Sequence, residues 1–195
     1  MKITWYGQAS FGIESSDGIK IVTDPYNPET AGFKPFSEPA DIVIKSSSND
    51  SFHDNDHLVP KKDGAEVIDA LPVALDTGSM TSHGITFKAI EAMEDLDHPY
   101  HDPDQNAMYR FIVDGFDIGH MGDMGNNFSD EQIVFFEGVD ILLSHAGGKP
   151  VITLDELNRV VDRVNPKLVI PMHFRTLCYK PCLLYTSDAA DESCS

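Results

Sequence analysis

An α/β protein with mixed sheets is the fold class this sequence predicts. Short apolar or alternating runs follow one another closely through the first two thirds of the chain, and capped helical patterns alternate with strands from Ser129 onward. The third observation is that 41% of the 195 residues are hydrophobic, enough to bury one sizeable core.

The opening alternates as strands do, over Lys2 to Tyr6, Phe11 to Glu14 and Ile19 to Thr23, with Ser16-Asp17-Gly18 as a turn, so a β-meander is expected. Pro25 stops the ladder and leaves Asp24 at the strand's edge. Asp41 to Lys45 reads as a short buried strand followed by a polar loop, Ser46 to Asp56, whose one apolar residue is Phe52. Further strands are expected around Glu66 to Ile68, Val73 to Leu75, Ile85 to Glu91, Tyr109 to Val113 and Phe116 to Ile118, with Asp114-Gly115 turning a hairpin. Ser129 and Gln132 make a capping box before a short helix, Val139 to Leu143 is the next strand, and Thr153 with Glu156 repeats the device. Leu157, Val160, Val161 and Val164 then share a helical face, Pro166 lies past its end, and Lys167 to Ile170 is the last strand.

The formal charge of −18 disfavours nucleic acid held by phosphate contacts and disfavours anionic membranes, because either partner meets repulsion first. No run of eighteen apolar residues exists and the start MKITWYG enters a strand directly, which predicts a soluble, cytoplasmic protein. All three cysteines, Cys178, Cys182 and Cys194, fall in the last eighteen residues, so a metal in the core would use histidine and carboxylate.

Two strand ends stand out: Gly119-His120-Met121-Gly122-Asp123-Met124-Gly125, and Leu168 to His173. In each, an apolar run delivers a metal-capable side chain where strand gives way to loop, and glycine permits close backbone approach. The eight histidines also gather with aspartates, as in His53-Asp54-Asn55-Asp56-His57 and His98-Pro99-Tyr100-His101-Asp102. Neutral imidazole with carboxylate suits zinc, manganese or iron(II).

On these motifs the chain resembles the metallo-β-lactamase fold superfamily, and within it the small cytoplasmic branch of lactonase-like metal-dependent hydrolases. The resemblance runs from residue 1 to about 177. MKITWYGQASFGIE with IVTDPY matches the first strands and places Asp24. HDPDQNAMYRFIVDGFDIGHMGDMG places His101 and Asp123, while VDILLSHAGG and NPKLVIPMHFRT place His173. It implies a four-layer αββα sandwich, C-terminally truncated, with a domain over 1–181. Residues 182–195, CLLYTSDAADESCS, resemble an adapter read-through peptide and are set apart from the fold.

The second motif departs from the family. H-x-H-x-D-H should follow ADIVI, yet the chain offers KSSSNDSFHDNDH. Aligned without a gap, Ser47, Asn49, Ser51 and Phe52 stand at the ligand positions; shifted by one, Ser48, Asp50 and Phe52 replace the first three and His53 remains. Gln8 and Asn126 likewise stand where histidine is common. The expected metal ligands are therefore Asp123, His173, His101 and His53, with Asp50, Asp56 and His57 as alternatives from the loop. Asp123 doubles as a catalytic candidate, and His120 is expected to orient a neighbour through its ring nitrogens. His145 reads as lining the same end of the sheet. What the resemblance implies is one or two divalent ions, zinc or manganese, and hydrolysis of a small ester, lactone or phosphorylated metabolite by activated water. A homologue that keeps the fold but binds a ligand or partner without turnover is the competing expectation, and a homo-oligomer is compatible with either.

Overall fold

The computed structural model describes residues 1–48, 52–94, 105–146 and 151–174. A meander opens the chain: β1 (Lys2–Gly7), β2 (Ser10–Glu14) and β3 (Lys20–Thr23) pair antiparallel in sequence order. Two parallel strands, β4 (Ala40–Lys45) and β5 (Lys61–Asp69), extend that sheet to the order β1-β2-β3-β4-β5. The facing sheet contains β6 (Ser79–Ser82), β7 (Ile85–Met93), β8 (Gln105–Val113) and β9 (Phe116–His120), all antiparallel, then β10 (Ile141–His145) and β11 (Leu168–Met172), both parallel to β9.

Period-two alternation builds the interior. Phe11 and Ile13 of β2, Ile42 and Ile44 of β4, and Tyr109, Phe111 and Val113 of β8 are buried in one cluster, while Ile112 between them stays exposed. On the outer side of the second sheet lie α3 (Asp130–Phe136) and α4 (Leu154–Val164), with Ile133, Phe136, Val160 and Val164 buried against it. Gly119 of β9 lets α3 come close, since a Cβ there would stand 2.7 Å from the Phe136 ring. The other outer layer is thin: α1 (Pro28–Ala31) and the turn Asp56–Leu58 accompany a small apolar patch of Val22, Ala40, Val43 and Val59. These layers form the expected αββα sandwich.

The capping box at Ser129 and Gln132 is present in both halves. At the second one, the Thr153 hydroxyl accepts from Glu156 N–H, but the Glu156 carboxylate turns instead to Phe128 N–H and Arg159. One expected strand is corrected: Val73 to Leu75 lies in α2 (Ala70–Leu75), because the Asp69 carboxylate caps Leu71 N–H and Pro72 falls in the first turn, where its missing N–H costs nothing. The strand expected over Val139 to Leu143 begins two residues later, at Ile141.

Parallel strands fix where the site forms. β3 and β4 in one sheet and β9, β10 and β11 in the other end on the same rim, where Ala107 N–H donates to Ser46 O (2.9 Å) and His173 N–H to Gln8 O (3.0 Å), tying the sheets together. In open α/β sheets the carboxyl ends of parallel strands are where ligands are bound.

Candidate metal centre

Asp24 is the buried anchor of this rim. Its Oδ1 accepts from Ser46 N–H (2.8 Å) and the Tyr109 hydroxyl (3.1 Å), and its Oδ2 accepts from the Ser46 hydroxyl (2.8 Å) and faces His53 Nδ1 at 3.0 Å. Burial by itself would push this carboxyl up, yet His120, His53 and Ser46 hold it below the usual carboxylate range. Burial and the Asp24 charge together push the Tyr109 hydroxyl well above its ordinary value, so it remains a donor.

The His53 tautomer follows from one backbone amide. Ala9 N–H donates to Gln8 Oε1 (2.6 Å), so the Gln8 NH2 group is the end that faces His53 Nε2, 3.1 Å away. Nε2 must then accept, which leaves the ring proton on Nδ1, aimed at Asp24. A carboxylate that fixes an imidazole in this way directs the opposite lone pair at a ligand. Nε2 also stands 3.1 Å from Asp123 Oδ2, and a cation between them would take this lone pair in place of the Gln8 amide.

Asp123 sits at the centre. Its second oxygen, Oδ1, lies 3.4 Å from His173 Nε2 and 3.7 Å from His145 Nε2. Among the described residues Oδ1 has no hydrogen-bond partner, although it is buried. The loop that aims it needs Gly122, whose φ is +59 and where a Cβ would meet Ala107 O at 2.3 Å. The Asn106 amide donates to Asp123 O (2.9 Å) and secures the turn from below.

These donors fit a divalent cation. Two atoms bound about 2.05 Å from one tetrahedral ion lie about 3.3 Å apart. His53 and His173 stand 3.1 and 3.4 Å from Asp123, and one donor atom from each of the three lies within 4.8 Å of the others. Protonation also suits a metal, which needs neutral imidazole and ionised carboxylate. Burial lowers the His173 ring, and lowers His145 well below the ordinary value. Asp123 is held below the carboxylate range, where burial alone would raise it, by the surrounding His53, His173 and His145 rings.

A model of the beta-lactamase superfamily domain matches residues 2–173. The chain belongs to this family. Beta-lactamase superfamily relatives include a UPF0173 protein of Pyrococcus abyssi, 29% identical over 187 residues covering 90% of this chain and 84% of the relative. A UPF0173 metal-dependent hydrolase of Carboxydothermus hydrogenoformans is 26% identical over 195 residues, covering 90% and 85%. Among solved structures, a candidate Zn-dependent hydrolase of the metallo-β-lactamase superfamily from Thermotoga maritima is 31% identical, with a TM-score of 0.69 over 91% of this chain and 78% of that one. A similar superposition on a Parabacteroides distasonis protein, TM-score 0.69 at 18% identity over 88% and 81%, shows the superfamily fold alone.

Of the residues singled out in the sequence, the fold brings His53, Asp123 and His173 together, with Asp24 behind His53. His120 is buried beside them, but Gly122 N–H donates to its Nδ1 (3.0 Å) and its Nε2 donates to Ala9 O (2.9 Å), so both nitrogens serve the backbone. It positions the Asp123 turn. His57 lies on the surface: the Asp56–Leu58 turn, pinned through Asn55 N–H to Pro25 O (2.9 Å), buries His53 and leaves His57 exposed. Asp56 faces Lys45 and Lys61 instead of the cluster. His101 and Asp50 lie outside the described residues. Asn126 donates to Met93 O (3.1 Å), a structural task. His145, read from sequence only as lining the rim, is fully buried within the cluster.

Proposed function

We propose that this chain is a metal-dependent hydrolase of a small ester, lactone or phosphorylated metabolite, with zinc or manganese held by His53, Asp123 and His173. The observation that carries the reading is the buried Oδ1 of Asp123, without a hydrogen-bond partner among the described residues, between imidazoles whose nitrogens stand at ligand-to-ligand separations. Relatives named metal-dependent hydrolases support it. A divalent cation bound here supplies Lewis acidity, which lowers the pKa of water and polarises a carbonyl or phosphoryl oxygen.

The chain's own residues do the rest. Asp24 holds the His53 ring with its Nε2 at the cluster, beside Asp123 and the Gln8 amide, and Ser46 and Tyr109 keep Asp24 ionised and fixed. His120, through Gly122 N–H, sets the turn that carries Asp123. Gln8 O receives the His173 N–H, so the ring from the second sheet is referenced to the first. His53, Asp123 and His173 are all buried between the two sheets, which limits the bulk water around these donors. A small dissolved metabolite as substrate and a cytoplasmic setting agree with the net charge of −18 and with the absence, among the described residues, of any helix long and apolar enough to cross a membrane. A homo-oligomer remains compatible with this reading.

A second reading, ligand binding without turnover, is favoured by one specific observation: Ser47, at the first motif position of the ungapped alignment, is buried, and the hydroxyl of the preceding Ser46 is spent on Asp24. Elemental analysis of protein purified without chelator separates the two. Bound zinc or manganese that is lost in Asp123→Ala and in His173→Ala, together with esterase or phosphatase turnover, supports the hydrolase. Metal unchanged in both variants removes the site, and metal without turnover across ester, lactone and phosphate panels leaves the binding role.

A further inference from the structure

Among the described residues, His145 is a buried imidazole at this rim whose ring nitrogens make no hydrogen bond. It ends β10 between two parallel neighbours, its partner across the ladder is Met172, and Ala146 N–H donates to Met172 O (3.0 Å), so its backbone is locked on both sides. The ring is fully buried, and among the described residues neither Nδ1 nor Nε2 has a hydrogen-bond partner. Leaving a buried polar atom unpartnered is destabilising, so a core position of this kind ordinarily holds an apolar residue or a satisfied histidine. Nε2 instead lies 3.7 Å from the equally unpartnered Asp123 Oδ1, too far for a hydrogen bond and close to a ligand-to-ligand spacing. The ring also meets His173 edge to face, with centroids 5.2 Å apart.

We infer that His145 is a metal ligand: beside the donors of His53, Asp123 and His173, which lie within 4.8 Å of one another, its Nε2 stands 3.7 Å from Asp123 Oδ1, and the ring closes on the ion to complete a set of three imidazoles and one carboxylate. This rests on the metal reading above. It explains how a chain whose second motif has lost its leading histidines still assembles four donors: strand β10 provides from the second sheet what the loop after β4 lacks. Three nitrogens and one oxygen suit zinc or cobalt(II) better than magnesium or calcium, which take oxygen donors.

The test titrates metal-free protein with Zn2+ against a chelating dye, and with Co2+ by visible absorption, in wild type, His145→Leu and Asp123→Ala. The expected result is a loss of Zn2+ affinity of at least about 100-fold in His145→Leu, beyond the 10–100-fold typical of groups that only orient a ligand, with an altered Co2+ spectrum. Metal-free His145→Leu should melt no lower than wild type, because two unpartnered nitrogens are gone. A merely structural histidine would give the reverse pattern. Unchanged affinity and spectrum in His145→Leu, with binding abolished in Asp123→Ala, overturns the assignment and leaves the metal centre standing. No Zn2+ or Co2+ binding by wild type overturns both. Should His145→Leu not fold, the ring 15N resonances of His145 in wild type decide: Nε2 must move on Zn2+ addition, and a stationary resonance refutes the ligand.

Discussion

Asp24→Asn is the sharpest probe of how the centre is held. The variant keeps the shape of the side chain but replaces one oxygen with an NH2 group, in a place where four donors converge on two oxygens. Ser46 N–H cannot become an acceptor, so the carbonyl must stay on the Oδ1 side and the NH2 must face the Ser46 hydroxyl and His53 Nδ1. The hydroxyl can rotate to accept. His53 Nδ1 can accept only by moving its proton to Nε2, which removes the lone pair a cation needs and sets an N–H against the Gln8 NH2 group. Hydrogen bonds to a charged group contribute about 1.5–3 kcal/mol each, and the variant weakens at least two, partly recovered by the rotations, for a net loss of about 3 kcal/mol. At roughly 2–4 °C per kcal/mol for a chain of this size, Tm should fall by about 6–12 °C. Zn2+ affinity should fall by about 10–100-fold, the range for a lost orienting partner. Differential scanning calorimetry and dye-competition titration read the two quantities, and a variant that keeps both Tm and affinity would refute the relay from Asp24 through His53.

The remaining predictions concern the supports of the site. Gly122→Ala forces a Cβ to within 2.3 Å of Ala107 O at a left-handed φ, so about 1–3 kcal/mol of stability and at least 10-fold in Zn2+ affinity should be lost; urea midpoints and metal titration check this, and wild-type values would show that the turn can relax. Glu156 is held below the ordinary glutamate value, first by its Arg159 hydrogen bonds, against the opposing effect of burial, and also by Phe128 N–H. A depressed folded pKa stabilises the fold above the unfolded value of 4.5 and that contribution disappears as pH falls through the folded value. The stability difference between wild type and Glu156→Gln should therefore be larger at pH 7 than at pH 3, and a constant difference in urea midpoints would be evidence against the linkage.

Much of the architecture is legible because strand ends here coincide with punctuation. Pro25 after Asp24, Gly122 beside Asp123 and the break after Met172 each mark where an apolar run stops, and the site forms at those stops. Val73 to Leu75 misleads because an apolar triplet of Val, Ala and Leu carries no period, and the Asp69 cap and Pro72 in the first turn are the signals that outrank it. β6 has only Met80 as an apolar residue, so an edge strand of this composition leaves no periodic trace. His145 is hard to weigh from sequence, since a histidine ending an apolar run looks the same whether satisfied or not. The available signal was its place at the end of β10 just as His173 follows β11, a parallel neighbour. Gln8 reads as a loss of histidine, and only the Ala9 N–H contact reveals that its amide sets the His53 tautomer.

Gln8, Asp24 and His173 are all non-glycine residues with left-handed backbone, at φ of 50, 37 and 54. Such conformations cost about 1 kcal/mol or more each and glycine would relieve them. Laboratory evolution that screens this protein for heat resistance alone is thus pulled toward glycine at Gln8 and His173, whose amide and imidazole organise the cation site, whereas at Asp24 the four hydrogen bonds outweigh that relief. A robust, inert variant is the outcome such a screen rewards, unless metal retention is selected in parallel.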